Sequence, residues 1–315
     1  MSEKLFNEIS NYGIVPVIAL NNVEDAIPLA QALVNGGLPV AEVTFRTEAA
    51  QESIRLMAET FPEMLVGAGT VLTIKQVDQA VAAGSQFIVS PGLNPKIVKY
   101  CQSINIPIIP GIATPSDLEL AIELGLDNVK FFPAEVNGGI KAIKAMSAPY
   151  GNVKFMPTGG VNEDNLKAYL SFEKILACGG TWMVKSDLID NKQFDEIEKL
   201  TKDAVSKMLD IKLDHIGFAS GSDRGLDLSL LKNILRSDEI NADNSRLVDN
   251  IELKSSNEIG HLGFSCTNVE RAIFHLEKTG VEFNYDSAVY DSKNKLELIY
   301  VKGRIADFAV RLIRK

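Results

Sequence analysis

The sequence predicts an α/β protein: a (β/α)8 barrel of about 200 residues, followed by a smaller α+β domain. Eight apolar, strand-like runs alternate with amphipathic helical segments between residues 14 and 208, and eight such units in this length fit a compact barrel. The alternative is an open doubly wound sheet. Such a sheet normally shows a GxGxxG turn after its first strand, and none follows here.

The eight predicted strands are short and mostly apolar, as parallel strands covered by helices on their outer face usually are. They span residues 14–20, 38–45, 65–71, 87–92, 107–112, 128–134, 153–160 and 175–182. Helical stretches such as VEDAIPLAQALVNGG and SDLELAIELG lie between them. Several of these stretches close on the Gly that is expected just past a helix end.

A lysine interrupts the sixth strand. Lys130 lies in NVKFFPA, between apolar neighbours. A primary amine is protonated at neutral pH in water, and apolar surroundings favour its neutral, nucleophilic form. This placement fits Schiff-base chemistry with a carbonyl substrate. A buried ion pair with a carboxylate fits the segment equally well.

The second strand places charged residues on one face. In AEVTFRTE the period of two puts Glu42, Thr44 and Arg46 opposite the apolar side chains. Since the C-terminal ends of barrel strands face the active site, Glu42 and Arg46 are expected to converge with Lys130. Lys154 is a second candidate nucleophile, but it begins strand seven at the opposite end, where a structural role is expected.

The last two strands end in paired glycines, PTGG (157–160) and CGGTW (178–182). Loops at these positions of a barrel commonly bind phosphate through backbone N–H groups. Glycine pairs also simply make tight turns. Two pairs at these two positions, each with a threonine beside it, favour a phosphate site.

Seven motifs carry a resemblance that spans residues 1 to about 208: EVTFRTE, VGAGTVL, IVSPGLNP, IPGIATPSDLELA, VKFFPAEVNGG, FMPTGGV and CGGTWMV. In this order they resemble the 2-keto-3-deoxy-6-phosphogluconate (KDPG) and 4-hydroxy-2-oxoglutarate (KHG) aldolase family. The resemblance implies that Lys130 forms the Schiff base, that Glu42 is the general acid/base and that Arg46 binds the substrate carboxylate. It also implies two sets of substrate contacts. They are Thr70, Pro91 and Phe132 around the pyruvate, and Thr158, Gly159, Gly160, Gly179, Gly180 and Thr181 around the distal phosphate.

The implied activity is that of a class I aldolase. It would cleave KDPG to pyruvate and glyceraldehyde 3-phosphate, and KHG to pyruvate and glyoxylate, with no metal or organic cofactor. The resemblance further implies a homotrimer. The alternatives are a phosphogalactonate aldolase with a different aldehyde pocket and a ligand-sensing binding protein with an inactive barrel. Intact Glu42, Arg46 and Lys130 speak against the inactive barrel.

Composition agrees with a cytoplasmic enzyme that acts on a small molecule. Hydrophobic residues make up 46% of the chain and charged residues 23%, and the net charge is −9, which argues against nucleic acid or an anionic membrane as a partner. No apolar run reaches the roughly 18 residues of a spanning helix, and no signal peptide is expected. Cys101, Cys178 and Cys266 form no CxxC and are expected to be reduced.

The sequence predicts a boundary near residue 210, with a barrel over 1–209 and a second domain over 213–315. The motif HhGF occurs twice in the second part, at His215 and His261, and the second copy precedes a helix and three strand-like runs. This pattern resembles the vicinal oxygen chelate (glyoxalase-like) superfamily. The first copy is followed by a loop, SDEINADNSR, where further strands would be expected.

That superfamily often holds a divalent metal, which makes His215, His261 and Glu252 candidate ligands. The last strand, DFAVRLIR, offers no carboxylate in the expected place. A metal-free interaction or ligand-sensing domain is therefore favoured, and no metal site is predicted. His275, within the helix, is expected to lie on the surface.

Overall fold

The computed structural model describes residues 2–219, 245–248, 251–256, 260–305 and 307–315, without the side chains of 2, 218–219, 245–248 and 251–256. The chain divides into two compact units, Met1–Met208 and Leu209–Lys315. Each unit is described by itself. In the described ranges, no helix combines the length and the apolar character needed to cross a membrane.

The first unit is a closed parallel barrel. Its strands are β1 (Ile14–Ile18), β2 (Val40–Thr44), β3 (Leu65–Gly69), β4 (Phe87–Ser90), β5 (Ile108–Ile112), β6 (Asn128–Phe131), β7 (Lys154–Pro157) and β8 (Cys178–Gly180). They pair in the order β7-β6-β5-β4-β3-β2-β1-β8. Parallel bridges from Phe155 to Ile175 and from Thr158 to Gly179 close the ring. The predicted (β/α)8 barrel is confirmed.

Helices alternate with these strands. They are α1 (Ser2–Tyr12), α2 (Ala26–Asn35), α3 (Ala50–Thr60), α4 (Ile74–Ala82), α5 (Pro95–Ser103), α6 (Pro115–Glu123), α7 (Gly139–Ser147), α8 (Leu166–Leu170), α9 (Ser186–Asp190) and α10 (Phe194–Leu209). Local sequence explains several starts. Thr73 and Thr114 each form a capping box with the residue three positions later, and proline occupies the first turn of α5 and α6.

Seven of the eight barrel strands end earlier than the sequence predicts, and β5 ends at Ile112 as predicted. β8 covers three residues of the predicted 175–182, and β6 stops at Phe131. Polar and glycine-containing segments follow each of these ends. Because these residues leave the hydrogen-bonded ladder, they are available to line a cavity.

The second unit is a mixed sheet with one described helix, α11 (Val269–Glu277). Its strands are β9 (Lys212–Ala219), β10 (Ser245–Val248), β11 (Ile251–Ser256), β12 (His261–Cys266), β13 (Phe283–Tyr290), β14 (Leu296–Ile305) and β15 (Phe308–Arg314), paired in the order β10-β11-β9-β12-β15-β14-β13. The helix and three strands predicted after His261 are present. Ser245 and Arg246, predicted to lie in a loop, begin β10 instead, because they pair with Leu253 and Glu252. Residues 237–244 of that predicted loop lie outside the described residues.

The repeated HhG motif has a steric explanation in the β9–β12 pair. His261 lies opposite Gly217, and His215 lies opposite Gly263. A Cβ added at Gly217 would lie 2.0 Å from Cε1 of His261, and one at Gly263 would lie 2.2 Å from Cε1 of His215. Each glycine therefore provides the space that the imidazole of the neighbouring strand occupies.

His275 corrects one prediction. It was expected on the surface, but its exposed fraction is 6%. The helix face of α11 that carries it also buries Val269, Ala272 and Ile273. A histidine within an amphipathic helix can fall on either face, and here the apolar face includes it.

Candidate active site

A cavity of about 410 Å³ opens at the C-terminal ends of the barrel strands. Every residue predicted for the site lines it except Glu42, which lies behind the lysine. The predicted residues that line it are Arg46, Thr70, Pro91, Lys130, Phe132, Thr158, Gly159, Gly160, Gly179, Gly180 and Thr181. Residues from six different strands or the loops after them therefore meet at one place.

The centre of the site is a buried pair, Lys130 on β6 and Glu42 on β2. Nζ of Lys130 lies 3.1 Å from Oε1 of Glu42. The exposed fractions are 5% for Lys130 and 0% for Glu42. The ring of Phe132 lies beside the amine, with its centroid 5.3 Å from Nζ. A buried charge is stable when it is paired in this way, and the two groups lie within hydrogen-bond distance of each other.

The second oxygen of Glu42 is the unusual feature of this pair. Oε2 is buried and has no hydrogen-bond partner in the described part of the chain. Buried carboxylate oxygens are usually paired, because leaving one unpaired costs about 1–3 kcal/mol. This oxygen is a ready acceptor for a proton from a substrate or from a water molecule.

Neighbouring glycine and threonine residues position Glu42. A Cβ added at Gly69 would lie 2.3 Å from Oε1 of Glu42, so β3 can pass beside the carboxylate only with glycine at this position. On β2 itself, Oγ1 of Thr44 donates to the carbonyl oxygen of Ile18 at 2.8 Å. This bond ties the end of β2 to β1, next to the carboxylate.

Arg46, Thr70 and Pro91 surround the buried pair at the rim of the cavity. Arg46 follows β2 by two residues and is exposed, and it forms no ion pair with the described side chains. Thr70 follows β3 with a φ of 55°. A left-handed conformation costs a threonine roughly 1–3 kcal/mol, and such strain is found at functional sites more often than elsewhere.

The two glycine pairs form the other side of the cavity. Gly159 and Gly160 have φ values of 97° and 83°, which L side chains rarely adopt. A Cβ at Gly179 would lie 2.3 Å from Oγ1 of Thr158, so the two loops are packed directly against each other. Backbone N–H groups and the hydroxyl groups of Thr158 and Thr181 are the polar groups available in this region.

The loop after β6 supports the first glycine pair. The backbone N–H groups of Ala134 and Glu135 donate to the carbonyl oxygens of Thr158 and Gly159, at 2.8 and 3.0 Å. The hydroxyl group of Tyr169 donates to Oε1 of Glu135. Burial, followed by the Glu135 carboxylate, raises the pKa of Tyr169 above its usual value, so the hydroxyl keeps the proton that it donates.

Sequence reasoning missed three polar cavity residues, Lys185, Ser186 and Asp187. They follow the motif CGGTWMV in the loop after β8 and at the start of α9. Their position after a predicted barrel strand was the signal that could have identified them. Lys154, the second candidate nucleophile, is the exposed first residue of β7, at the opposite end of that strand from Pro157.

Comparison with known proteins covers the barrel. A family described as KDPG and KHG aldolase matches residues 6–200. The 2-dehydro-3-deoxy-phosphogluconate aldolase of Haemophilus influenzae is 48% identical over 65% of this chain and 96% of its own length. The KHG/KDPG aldolase of Escherichia coli K12 is 46% identical over 61% of this chain and 90% of its own length.

A solved structure of a similar protein contains a bound substrate intermediate. The KDPG aldolase from Legionella pneumophila was crystallised with pyruvate captured at low pH as a covalent carbinolamine intermediate. Its sequence is 40% identical to this chain, and the two structures superimpose with a TM-score of 0.61. The match includes 63% of this chain and 97% of the Legionella chain. The family match ends at residue 200, within the first unit, Met1–Met208.

Proposed function

The chain belongs to the KDPG and KHG aldolase family, and we propose that it is a class I aldolase that cleaves KDPG to pyruvate and glyceraldehyde 3-phosphate. It also cleaves KHG to pyruvate and glyoxylate. The observation that carries the proposal is the Lys130–Glu42 pair, 3.1 Å apart and buried at the base of the cavity. A carbon–carbon lyase of this class needs an amine and a proton-transferring group at this distance.

The first stage is formation of the Schiff base. The neutral amine of Lys130 attacks the C2 ketone of the substrate, and the resulting carbinolamine loses water to give a protonated imine. The proton that the amine gives up passes to Glu42, whose Oε1 lies within hydrogen-bond distance of Nζ. The apolar ring of Phe132 beside Nζ limits access of water to the imine.

The second stage is cleavage. The imine cation accepts the electron pair of the C3–C4 bond as the C4 hydroxyl loses its proton, which releases the aldehyde and leaves an enamine. Protonation at C3 and hydrolysis of the imine then release pyruvate and regenerate Lys130. Glu42 serves the proton transfers, directly or through a water molecule, and such general acid/base help is typically worth about 10² to 10⁴ in rate.

The remaining residues bind the two ends of the substrate. The exposed guanidinium group of Arg46 binds the C1 carboxylate with a planar pair of N–H donors. Thr70 and Pro91 line the pyruvate portion. The distal phosphate lies against the glycine loops and the hydroxyl groups of Thr158 and Thr181, where backbone N–H groups act as donors.

Pyruvate release from three substrates tests the proposal. KDPG, its galactonate epimer and KHG are each supplied to the wild-type chain and to Lys130→Met. Cleavage of KDPG by the wild type and loss of all cleavage in Lys130→Met are expected. Lys154→Met is the matched control, since this lysine begins β7 at the far end of the strand. Preference for the galactonate epimer would contradict the assigned substrate, and no cleavage of any substrate would contradict the enzyme assignment.

We further propose that the enzyme is cytoplasmic and that it forms a homotrimer. The support is family membership, together with the general prevalence of closed symmetric oligomers. Light scattering at micromolar concentration measures the assembly directly. Three times the monomer mass is expected, and a monomer mass would contradict the proposal.

The second domain, residues 213–315, is proposed to be an accessory that aldol cleavage does not need. All residues assigned to chemistry lie in the first compact unit, and the match to the family model ends at residue 200. A truncation after Met208, assayed for pyruvate release and thermal melting, tests this. A truncated chain that is folded and oligomeric but inactive would contradict the accessory role.

A further inference from the structure

Four polar residues of the second unit meet on one face of the sheet. Nε2 of His215 lies 3.0 Å from Nε2 of His261 and 2.6 Å from Nη2 of Arg311. Nη1 of Arg311 donates to the hydroxyl oxygen of Tyr300 at 3.4 Å. These residues, His215, His261, Arg311 and Tyr300, are called the histidine–arginine cluster below.

Strand register explains why the cluster forms. His215 pairs with Gly263, Gly263 pairs with Arg311, and Arg311 pairs with Tyr300, so one row crosses four strands. Neighbours in such a row point to the same face of the sheet. Val310 and Leu312 alternate with Arg311 and are buried, and α11 contacts β14 and β15. The cluster therefore occupies the face opposite to these apolar residues.

The resemblance to the vicinal oxygen chelate superfamily implies a divalent metal at the two histidines, and the residues present do not fit one. Nδ1 of His215 lies 2.7 Å from Oδ2 of Asp214, so it carries the proton that this carboxylate accepts. Nε2 of His215 then has one lone pair, which faces Nη2 of Arg311, a group that can only donate, at 2.6 Å, and Nε2 of His261 at 3.0 Å. A metal ion would compete for that lone pair beside a fixed positive charge.

The described side chains supply no third ligand beside the two histidines. Among the described residues, no group of three or more His, Cys, Asp or Glu side chains could hold a metal ion. Glu252 pairs with His215 in backbone register, and its side chain lies outside the described part of the chain. On the last strand, the position that pairs with His261 is Ala309, which has no ligating atom.

We propose that the histidine–arginine cluster is a binding site for a small carboxylate, centred on the guanidinium group of Arg311. Its partners in the described chain are His215 and Tyr300, neither of which is a carboxylate. Nε of Arg311 is buried and has no hydrogen-bond acceptor there. A buried N–H without an acceptor is costly, and a bound carboxylate removes that cost.

The charge of the cluster favours a monoanion. Arg311 supplies one positive charge, and its Nη2 faces the Nε2 of His215, which serves as an acceptor. Asp214 adds a negative charge beside the imidazole of His215, which disfavours a dianion more strongly than a monoanion. The planar fork of an arginine matches a carboxylate, and a single positive charge does not balance a phosphate dianion. Arg311 and Tyr300 are each partly exposed, so a ligand can reach them.

Histidine resonances give a direct test, because the chain has three histidines and all three lie in the second unit. The full chain, carrying Lys130→Met so that the barrel forms no adduct, is labelled at histidine and titrated with pyruvate. Saturable shifts of the His215 and His261 resonances, with His275 unchanged, are expected. Equal shifts with chloride at the same ionic strength, or no shift with pyruvate, would overturn the proposal.

Variants and a metal titration complete the design. Arg311→Met is expected to weaken the pyruvate response at least about tenfold, since a hydrogen bond to a charged group is worth about 1.5–3 kcal/mol. Arg304→Met, an exposed arginine on β14, is the matched control and should leave the response unchanged. Mn²⁺ should broaden none of the three resonances selectively. Selective broadening of His215 and His261 would show a metal site and overturn the proposal, whether or not Arg311→Met folds.

Discussion

Gly69→Ala should displace the carboxylate of Glu42 without removing it, so it tests the position of this group separately from its presence. The substitution leaves both members of the catalytic pair in the sequence, and Gly69 has no positive φ to strain an alanine. The added Cβ would lie 2.3 Å from Oε1, 2.6 Å from Cγ and 2.8 Å from Cδ of Glu42. An ordinary contact begins near 3.4 Å, so the carboxylate must move by about 1 Å.

The size of the effect follows from that movement. A shift of about 1 Å breaks the 3.1 Å contact between Glu42 and Lys130. Misplacement of this size can cost about 10² in rate, and loss of general acid/base help typically costs about 10² to 10⁴. Turnover should therefore fall by about 10² or more. Overpacking in a buried site also costs about 1–3 kcal/mol of stability.

The assay compares pyruvate release, thermal melting and borohydride trapping with pyruvate. Gly69→Ala should remain folded and should still form some adduct, because Lys130 is intact, while turnover falls. Gly151→Ala is the control, since an added Cβ there meets nothing within 4 Å. A folded Gly69→Ala with wild-type turnover would refute the argument that Gly69 positions Glu42.

Three further predictions follow from the same contacts. Glu42→Gln keeps the shape of the side chain but not proton exchange, so turnover should fall by about 10² to 10⁴ while some pyruvate adduct still forms; unchanged turnover would exclude Glu42 as the acid/base. Tyr169→Phe removes the hydrogen bond to Glu135 that supports the glycine loop. KM for KDPG should therefore rise by about tenfold or less, while KM for KHG, which lacks the phosphate, stays constant. Equal changes in both KM values would disprove this. Burial raises the pKa of the Cys101 thiol to about 12 and that of the Cys266 thiol to about 11, above the unfolded value of about 8.5. The protonated thiols should therefore resist alkylation at pH 9 in the native chain and react once the chain is unfolded. Their contribution to the stability of the fold is lost as the pH rises from about 8.5 towards 11 to 12. Rapid alkylation of the native chain would contradict their burial.

Strand periodicity predicted the centre of the site because a barrel converts it directly into position. Alternation along β2 placed Glu42 on the inner face. A lysine within an apolar strand was expected either to point into the barrel mouth or to form an ion pair with a buried carboxylate. The two interpretations of Lys130 prove compatible in geometry, since the amine lies in the cavity and is also paired with a buried carboxylate. Its chemical role remains a proposal.

Other features depend on how loops and helices turn, which local sequence does not specify. Lys185 and its two successors line the cavity because the loop after β8 returns over the barrel mouth, a path that periodicity does not encode. His275 is buried because of the face that α11 presents to its own sheet. The contact between Arg311 and His215 joins residues 96 positions apart, so it appears only once the strand order is known.

Covalent trapping tests the central claim most directly. The chain is incubated with pyruvate and borohydride, and the modified peptide is mapped by mass spectrometry. An imine at Lys130 would be reduced to a stable secondary amine, and the adduct is expected on that residue alone. An adduct on Lys154, or none, would contradict the mechanism built on the buried pair of Lys130 and Glu42.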